Sequence, residues 1–100
     1  MLLLRNYQSK MDLQRARKEI DKIDNSILDL LKQRLNIVKE IGLLKKKEGT
    51  AVLDPEREVK LLSKLEKKAD ENKLDPQLVK GIWDLILRNS RSSQEKIKEE

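Results

Sequence analysis

The stretch ILDLLKQRLNIVKEI, residues 27–41, carries the pattern that decides the fold. Its apolar residues belong to a longer series with steps of mostly three and four: Leu13, Ala16, Ile20, Ile23, Ile27, Leu30, Leu31, Val38 and Ile41. This spacing places them on one face of an α-helix. Because no proline interrupts the pattern, it predicts a helix from about residue 9 to residue 47. Gly42 is its only weak point, and Gly49 is the expected C-terminal stop.

Two further helices are predicted downstream of this long one. Asp54 is a good N-cap and Pro55 suits the first helical position, and the pair Asp75 and Pro76 repeats the same signal. The last helix is expected to end near Lys98. With 37% apolar and 41% charged residues, the chain can bury only a thin core. We therefore predict an all-α fold with one long and two shorter helices.

The length of the first helix predicts a partner. At 1.5 Å per residue it would extend about 58 Å, and two shorter helices from the same chain cannot cover it. Its apolar stripe would stay partly bare, and an exposed stripe of that size marks a contact surface. We infer an obligate homodimer with the long helices side by side. The alternative is a coiled-coil arm exposed to solvent.

All three predicted helices carry polar side chains on their apolar faces. These are Arg34 and Lys45 in the first helix, Glu58 in the second, and Ser90 and Gln94 in the third. One basic residue could lay its stem on apolar surface and keep its charge in water. Burying such groups unpaired costs about 1–3 kcal/mol each, and more when they are charged. The set predicts either a structural Arg–Glu–Gln network or a polar cavity for an anion, and the excess of cations favours the anion.

Arg17 lies on the flank of the stripe, about 25 Å along the helix axis from Arg34. That distance is too great for both residues of one chain to reach the same small ligand. Arg34 and Lys45 are about 16 Å apart, so their long side chains can reach toward a ligand between them. In a dimer with antiparallel long helices, the partner subunit's Arg17 could join that site.

The composition excludes several kinds of chemistry. The chain contains no cysteine and no histidine, which leaves Arg, Lys, Asp, Glu, Ser and Gln as its functional side chains. No apolar run is long enough to cross a bilayer, and the opening MLLL is too short for a signal peptide, so we expect a cytoplasmic protein. The net charge is +5, yet basic and acidic residues alternate and only two residues are aromatic. We therefore expect no nucleic-acid partner, although a basic helical interaction module stays an alternative.

The ordered motifs resemble those of the all-helical chorismate mutases, from about Leu13 to Gln94. They are RxEIDxID starting at Arg17, LLxxR ending at Arg34, IGxxK ending at Lys45, DPERE at residues 54–58, and the late pair Ser90 and Gln94. Each motif alone is weak because helical sequences are full of such spacings. All of them in order, at compatible intervals, make a specific signal.

The resemblance implies an intertwined six-helix homodimer, built from three-helix chains, with two active sites. It implies an isomerase that converts chorismate to prephenate by a Claisen rearrangement, in phenylalanine and tyrosine biosynthesis. We expect chorismate as the substrate, and neither a cofactor nor a metal ion. Isochorismate pyruvate lyases share the scaffold, so that reaction stays an alternative.

The resemblance also implies eight substrate-binding residues: Arg17, Arg34, Lys45, Asp54, Arg57, Glu58, Ser90 and Gln94. Arg34 would grip a substrate carboxylate, and Arg17 would come from the second subunit. Lys45 and Gln94 would face the breaking ether bond, and Glu58 would face the ring hydroxyl. The expected catalytic residues are therefore Arg34, Lys45, Glu58 and Gln94.

Met11 could be an alternative start, so we expect residues 1–10 to be an N-terminal extension or tail. Residues 11–100 would then form the helical domain, either free-standing or as part of a fusion with a later enzyme of the pathway. Arg91 and Lys39 lie near the expected site residues in the sequence, but the sequence assigns them no role.

Overall fold

The computed structural model describes residues 12–100, and this part of the chain folds into three α-helices. They are α1 (Leu13–Glu48), α2 (Pro55–Glu71) and α3 (Pro76–Glu99). The predicted all-α class, with one long and two shorter helices, is confirmed. The proposed extension over residues 1–10 lies outside the described residues. None of the helices between residues 12 and 100 combines the length and apolar composition that crossing a bilayer requires.

Helix α1 begins at Leu13, four residues later than the sequence pattern predicted. The reason is Asp12, whose Oδ1 accepts a hydrogen bond from the Arg15 backbone amide at 2.8 Å. The Asp12 carbonyl accepts from the Ala16 amide at 3.0 Å. An aspartate that satisfies a first-turn amide in this way is an N-cap. The 36-residue helix is therefore about 54 Å long rather than 58 Å.

The other predicted helix boundaries are confirmed. Gly49 follows α1 with φ of 72°, the left-handed conformation that glycine adopts without a steric penalty. Asp54 Oδ1 accepts from the Arg57 amide at 3.1 Å, and Asp75 Oδ1 accepts from the Gln77 amide at 2.9 Å. Each aspartate is followed by a proline at the start of its helix.

The chain divides into two compact units, with the boundary between Arg34 and Leu35. The described part of the first unit is the N-terminal portion of α1. Six of its large apolar side chains are at least half exposed: Leu13, Ile20, Ile23, Ile27, Leu28 and Leu30. A single chain thus leaves this face uncovered, as the length argument predicted.

The second unit, Leu35–Glu100, contains the end of α1 together with α2 and α3. Its apolar core is thin: the buried apolar side chains among the described residues are Val38, Val52, Ala69 and Leu87. Lys98 Nζ donates to the Thr50 carbonyl at 2.9 Å, which fastens the end of α3 to the loop after α1. This unit holds six of the eight predicted site residues.

Candidate active site

Helix α3 buries two polar side chains, Ser90 and Gln94, which are 8% and 7% exposed. They lie one turn apart, so both point to the same side of the helix. Ser90 Oγ donates to the Ile86 carbonyl at 2.8 Å. Gln94 Oε1 is buried without a hydrogen-bond partner in the described part of the chain. A buried acceptor left unpaired costs about 1–3 kcal/mol, so this oxygen is suited to accept a hydrogen bond from a group outside the described residues.

Helix α1 approaches the Gln94 segment closely at Gly42. A Cβ atom at this position would lie 3.2 Å from Ile97 Cδ1 and 3.3 Å from Gln94 Cα. Gly42 is the weak point that the sequence showed within the α1 pattern, and the close approach explains it. The absence of a side chain brings the backbone of α1 directly against the turn of α3 that carries Gln94.

Lys45 lies one turn beyond Gly42 and is half-buried. Its Nζ donates to the Val52 carbonyl at 2.6 Å. This bond fixes the ammonium group and uses one of its three donors, which leaves two for a ligand. Val52 itself is buried in the loop between α1 and α2, so the acceptor is held in place by packing.

The start of α2 supplies Asp54, Arg57 and Glu58. Asp54 and Arg57 are exposed, and the described contact between them is the helix cap. Glu58 is half-buried and pairs with Arg91 of α3. Arg91 Nη1 donates to Glu58 Oε1 at 2.5 Å and to Oε2 at 2.7 Å. The Glu58 carboxylate is therefore held against α3, one residue past Ser90.

Three of these contacts link all three helices within the second unit. The Lys45 bond to Val52 joins α1 to the loop before α2, and the Glu58–Arg91 pair joins α2 to α3. The contact between Gly42 and Gln94 joins α3 back to α1. The fold thus brings the segments of Lys45, Glu58, Ser90 and Gln94 into one neighbourhood.

Arg17 and Arg34 belong to the first unit. Arg17 is exposed, and Arg34 is half-buried on α1. Their participation in a substrate site stays a prediction.

Three residues of this neighbourhood had no site role in the sequence reasoning. Arg91 was noticed but had no assignable role, because its partner Glu58 is 33 residues away on another helix. Val52 acts through its backbone carbonyl, which its side chain does not reveal. Gly42 offered a usable signal: it is a glycine on an apolar helix face, three residues before the predicted Lys45.

The gathered groups suit the recognition of a small polar anion. The ammonium of Lys45 and the amide of Gln94 can donate hydrogen bonds, and the carboxylate of Glu58 can accept one. Such a set can hold and polarise a ligand by electrostatics and hydrogen bonding alone.

A three-helix chain with this polar cluster has a counterpart among known families. The sequence pattern of the family described as "Chorismate mutase type II" matches residues 16–95. The chain therefore belongs to this family, and the resemblance found in its sequence is confirmed.

Individual relatives differ in length and in name. The "T-protein" of Enterobacter agglomerans is 34% identical over 83 residues, which is 83% of this chain but 22% of that protein. The "Chorismate mutase" of Methanocaldococcus jannaschii is 31% identical over 88 residues, 88% of this chain and 89% of that one. The "4-amino-4-deoxychorismate mutase" of Streptomyces venezuelae is 26% identical over 76 residues, 76% and 74% of the two chains. The chain thus spans about a fifth of the first relative and most of the other two.

Proposed function

We propose that this protein is a chorismate mutase, an isomerase that converts chorismate to prephenate in phenylalanine and tyrosine biosynthesis. Family membership and the match along most of a relative named chorismate mutase support this reaction. The observation that carries the proposal is the set of three interhelical contacts, because it brings the segments of Lys45, Glu58, Ser90 and Gln94 together in one unit.

The reaction demands conformation and electrostatics rather than covalent chemistry. A Claisen rearrangement needs no nucleophile and no net proton transfer, so a chain without histidine or cysteine can support it. Chorismate is a dianion whose enolpyruvyl arm must fold over its ring. In the proposed site, Arg34 and the partner subunit's Arg17 hold the two carboxylates of that folded form. Lysine would do this less well because it lacks the planar donor fork of arginine.

Lys45 and Gln94 would act on the ether oxygen, where negative charge grows as the carbon–oxygen bond breaks. The bond from Lys45 to the Val52 carbonyl supports this role, because it positions the ammonium group before a ligand arrives. Burial of Gln94 supports it too, since a hydrogen bond is stronger where water is excluded. Removing one donor placed in this way typically costs about 3–4 kcal/mol, or 10²–10³ in rate.

The remaining groups would orient the ring of the substrate. Glu58 would accept a hydrogen bond from the ring hydroxyl, with Ser90 on the neighbouring helix beside it. Asp54 and Arg57 at the start of α2 would complete the binding set. Their exposure in the single chain is compatible with contacts that form only when substrate or a second subunit is present.

We further propose the intertwined six-helix homodimer, with two sites that each take Arg17 from the opposite chain. The uncovered apolar face of the first unit supports a second copy as its partner. The same face on the α1 helix of a second chain could cover it in a two-fold dimer. A cytoplasmic location stays a prediction.

The direct test is to mix the purified protein with chorismate and to follow the products by proton NMR. Formation of prephenate that scales with protein concentration is the expected result. A parallel reaction with isochorismate tests the lyase alternative, which would release pyruvate. Pyruvate from isochorismate with no prephenate from chorismate would overturn the proposed reaction. If the protein turned over neither compound and bound nucleic acid with an affinity that fell steeply with salt, a basic interaction module would be favoured.

A further inference from the structure

Arg91 makes the one ion pair between α2 and α3 among the described residues. The other three described pairs join neighbours on a single helix, and their side chains are about half exposed or more. Pairs of that kind contribute little to stability. Arg91 and Glu58 are different, because their side chains are 34% and 23% exposed and their hydrogen bonds are short.

The geometry of the pair allows the Glu58 carboxylate to accept further hydrogen bonds while it bridges two helices. A single nitrogen, Nη1, bonds to both carboxylate oxygens, so Arg91 approaches the carboxylate from one side. Each oxygen keeps a further lone pair for another donor. Arg91 also follows Ser90 directly, on the helix that carries the buried Gln94.

We propose that Arg91 is a positioning and specificity-determining residue for the ring substituent of the substrate. It fixes the orientation of the Glu58 carboxylate and balances its negative charge. The site then takes a neutral hydroxyl group at this ring position in preference to a positively charged ammonium group. This inference rests on the proposed function, because it requires Glu58 to face the ring.

The physical reason is charge balance in a half-buried place. A carboxylate without a counter-ion would attract an ammonium group strongly and a hydroxyl group more weakly. A carboxylate already paired with a guanidinium gains less from a second cation, because the arginine repels it. The carboxylate still accepts a hydrogen bond from a hydroxyl group. Arg91 therefore favours the hydroxyl compound over its amino analogue.

The experiment measures kcat/KM for chorismate and for 4-amino-4-deoxychorismate, whose primary amine is largely protonated at neutral pH. The variants are Arg91→Met, which keeps the apolar stem without the charge, and Arg91→Lys, which keeps the charge. Arg88→Met is the matched control, because it removes an exposed arginine one turn earlier on α3. Thermal unfolding of each variant separates local effects from loss of the fold.

Wild-type protein and Arg88→Met should share one preference for chorismate. Arg91→Met should lower kcat/KM for chorismate about tenfold, as expected for a lost hydrogen bond to a charged group. The ratio of kcat/KM for the amino compound to that for the hydroxyl compound should rise by at least about tenfold, because the unpaired Glu58 carboxylate then attracts the ammonium group. Arg91→Lys should keep most of the wild-type ratio.

A purely structural pair would give a different pattern, in which Arg91→Met lowers both rates equally and leaves the ratio unchanged. That pattern, with active wild-type protein, overturns this inference alone. A wild-type protein that turns over neither compound overturns the proposed function, and this inference with it.

Discussion

Gln94 shows at the level of one residue why an apolar helix face carries polar side chains. It is at least as buried as the core residue Leu87, yet its Oε1 finds no partner in the described part of the chain. A side chain selected only for stability would be apolar at this place, since burying an unpaired amide is unfavourable. The proposed site accounts for the polar residue, because the side-chain NH₂ would donate to the ether oxygen without titrating, while Oε1 would accept from a donor outside the described residues.

The pH dependence of activity tests this role of Gln94. Wild-type activity should be nearly flat between pH 6 and 8. In Gln94→Glu, only the protonated acid can donate to the ether oxygen, whereas the carboxylate would repel the developing negative charge. Activity of this variant should fall as the pH rises, by up to about 10²–10³. A variant with a flat profile like that of the wild type would contradict the role.

Arg34 is the residue that breaks the apolar stripe of α1, and its removal tests the carboxylate contact. Arg34→Ala should lower kcat/KM by about a hundredfold or more, because truncating one partner of a buried charge pair costs about 2–5 kcal/mol. The matched control is Arg15→Ala, an exposed arginine on the same helix. Circular dichroism should show all three proteins equally helical. Near-normal turnover by Arg34→Ala would remove it from the site.

Some residues of the candidate site could be predicted from the sequence and others could not. Lys45, Glu58, Ser90 and Gln94 were visible because a polar residue on an apolar helix face conflicts with the periodic pattern. Arg91 satisfies that pattern, so nothing in the one-dimensional sequence links it to Glu58.

Among the helices, the contact between α1 and α3 sets the position of Gln94. Gly42 permits this contact, because a Cβ there would press on Gln94 Cα and Ile97 Cδ1. Gly81 offers a natural comparison. It also lies within a helix, but a Cβ there would meet nothing within 4 Å.

Alanine at these two glycines should therefore affect different properties, stability at Gly81 and activity at Gly42. Gly81→Ala should raise the free energy of unfolding by about 1 kcal/mol through helix propensity, with activity unchanged. Gly42→Ala gains the same propensity but must push the Gln94 backbone by a few tenths of an ångström. We expect little net change in its stability and a loss of activity of about tenfold, of the order that small misplacements of catalytic groups produce. Thermal unfolding and steady-state kinetics measure both, and full activity in Gly42→Ala would contradict this view of the contact.

The helix boundaries show which local signals the sequence carries. The Asp–Pro pairs and Gly49 act through short-range geometry, so those boundaries were predictable. The predicted start of α1 was four residues too early, because periodicity alone extended the helix toward the N-terminus. The side chain of Asp12 caps the helix and sets its first residue at Leu13.

For the whole molecule, the proposed exchange of Arg17 between subunits makes a distinctive prediction. Arg17→Ala and Gln94→Ala homodimers should each be nearly inactive. A mixed dimer would have one site with both defects and one intact site. Co-refolding equal amounts should therefore restore about a quarter of wild-type activity, the share expected for random pairing in a two-fold dimer.

Both variants should sediment as dimers before mixing. If each chain used its own Arg17, every site in the mixed dimer would keep one defect. No recovery of activity from well-folded mixed dimers would then exclude the exchange between chains.

The bond between Lys45 and the Val52 carbonyl has a consequence for how the protein can diverge. A main-chain oxygen is present whatever residue occupies position 52, so any apolar side chain that fills the same space should preserve the bond. The amino-acid sequence of the loop can thus change while the hydrogen bond to the Lys45 ammonium group is kept. Relatives with dissimilar loops can keep the same lysine geometry, provided that the number of loop residues is maintained.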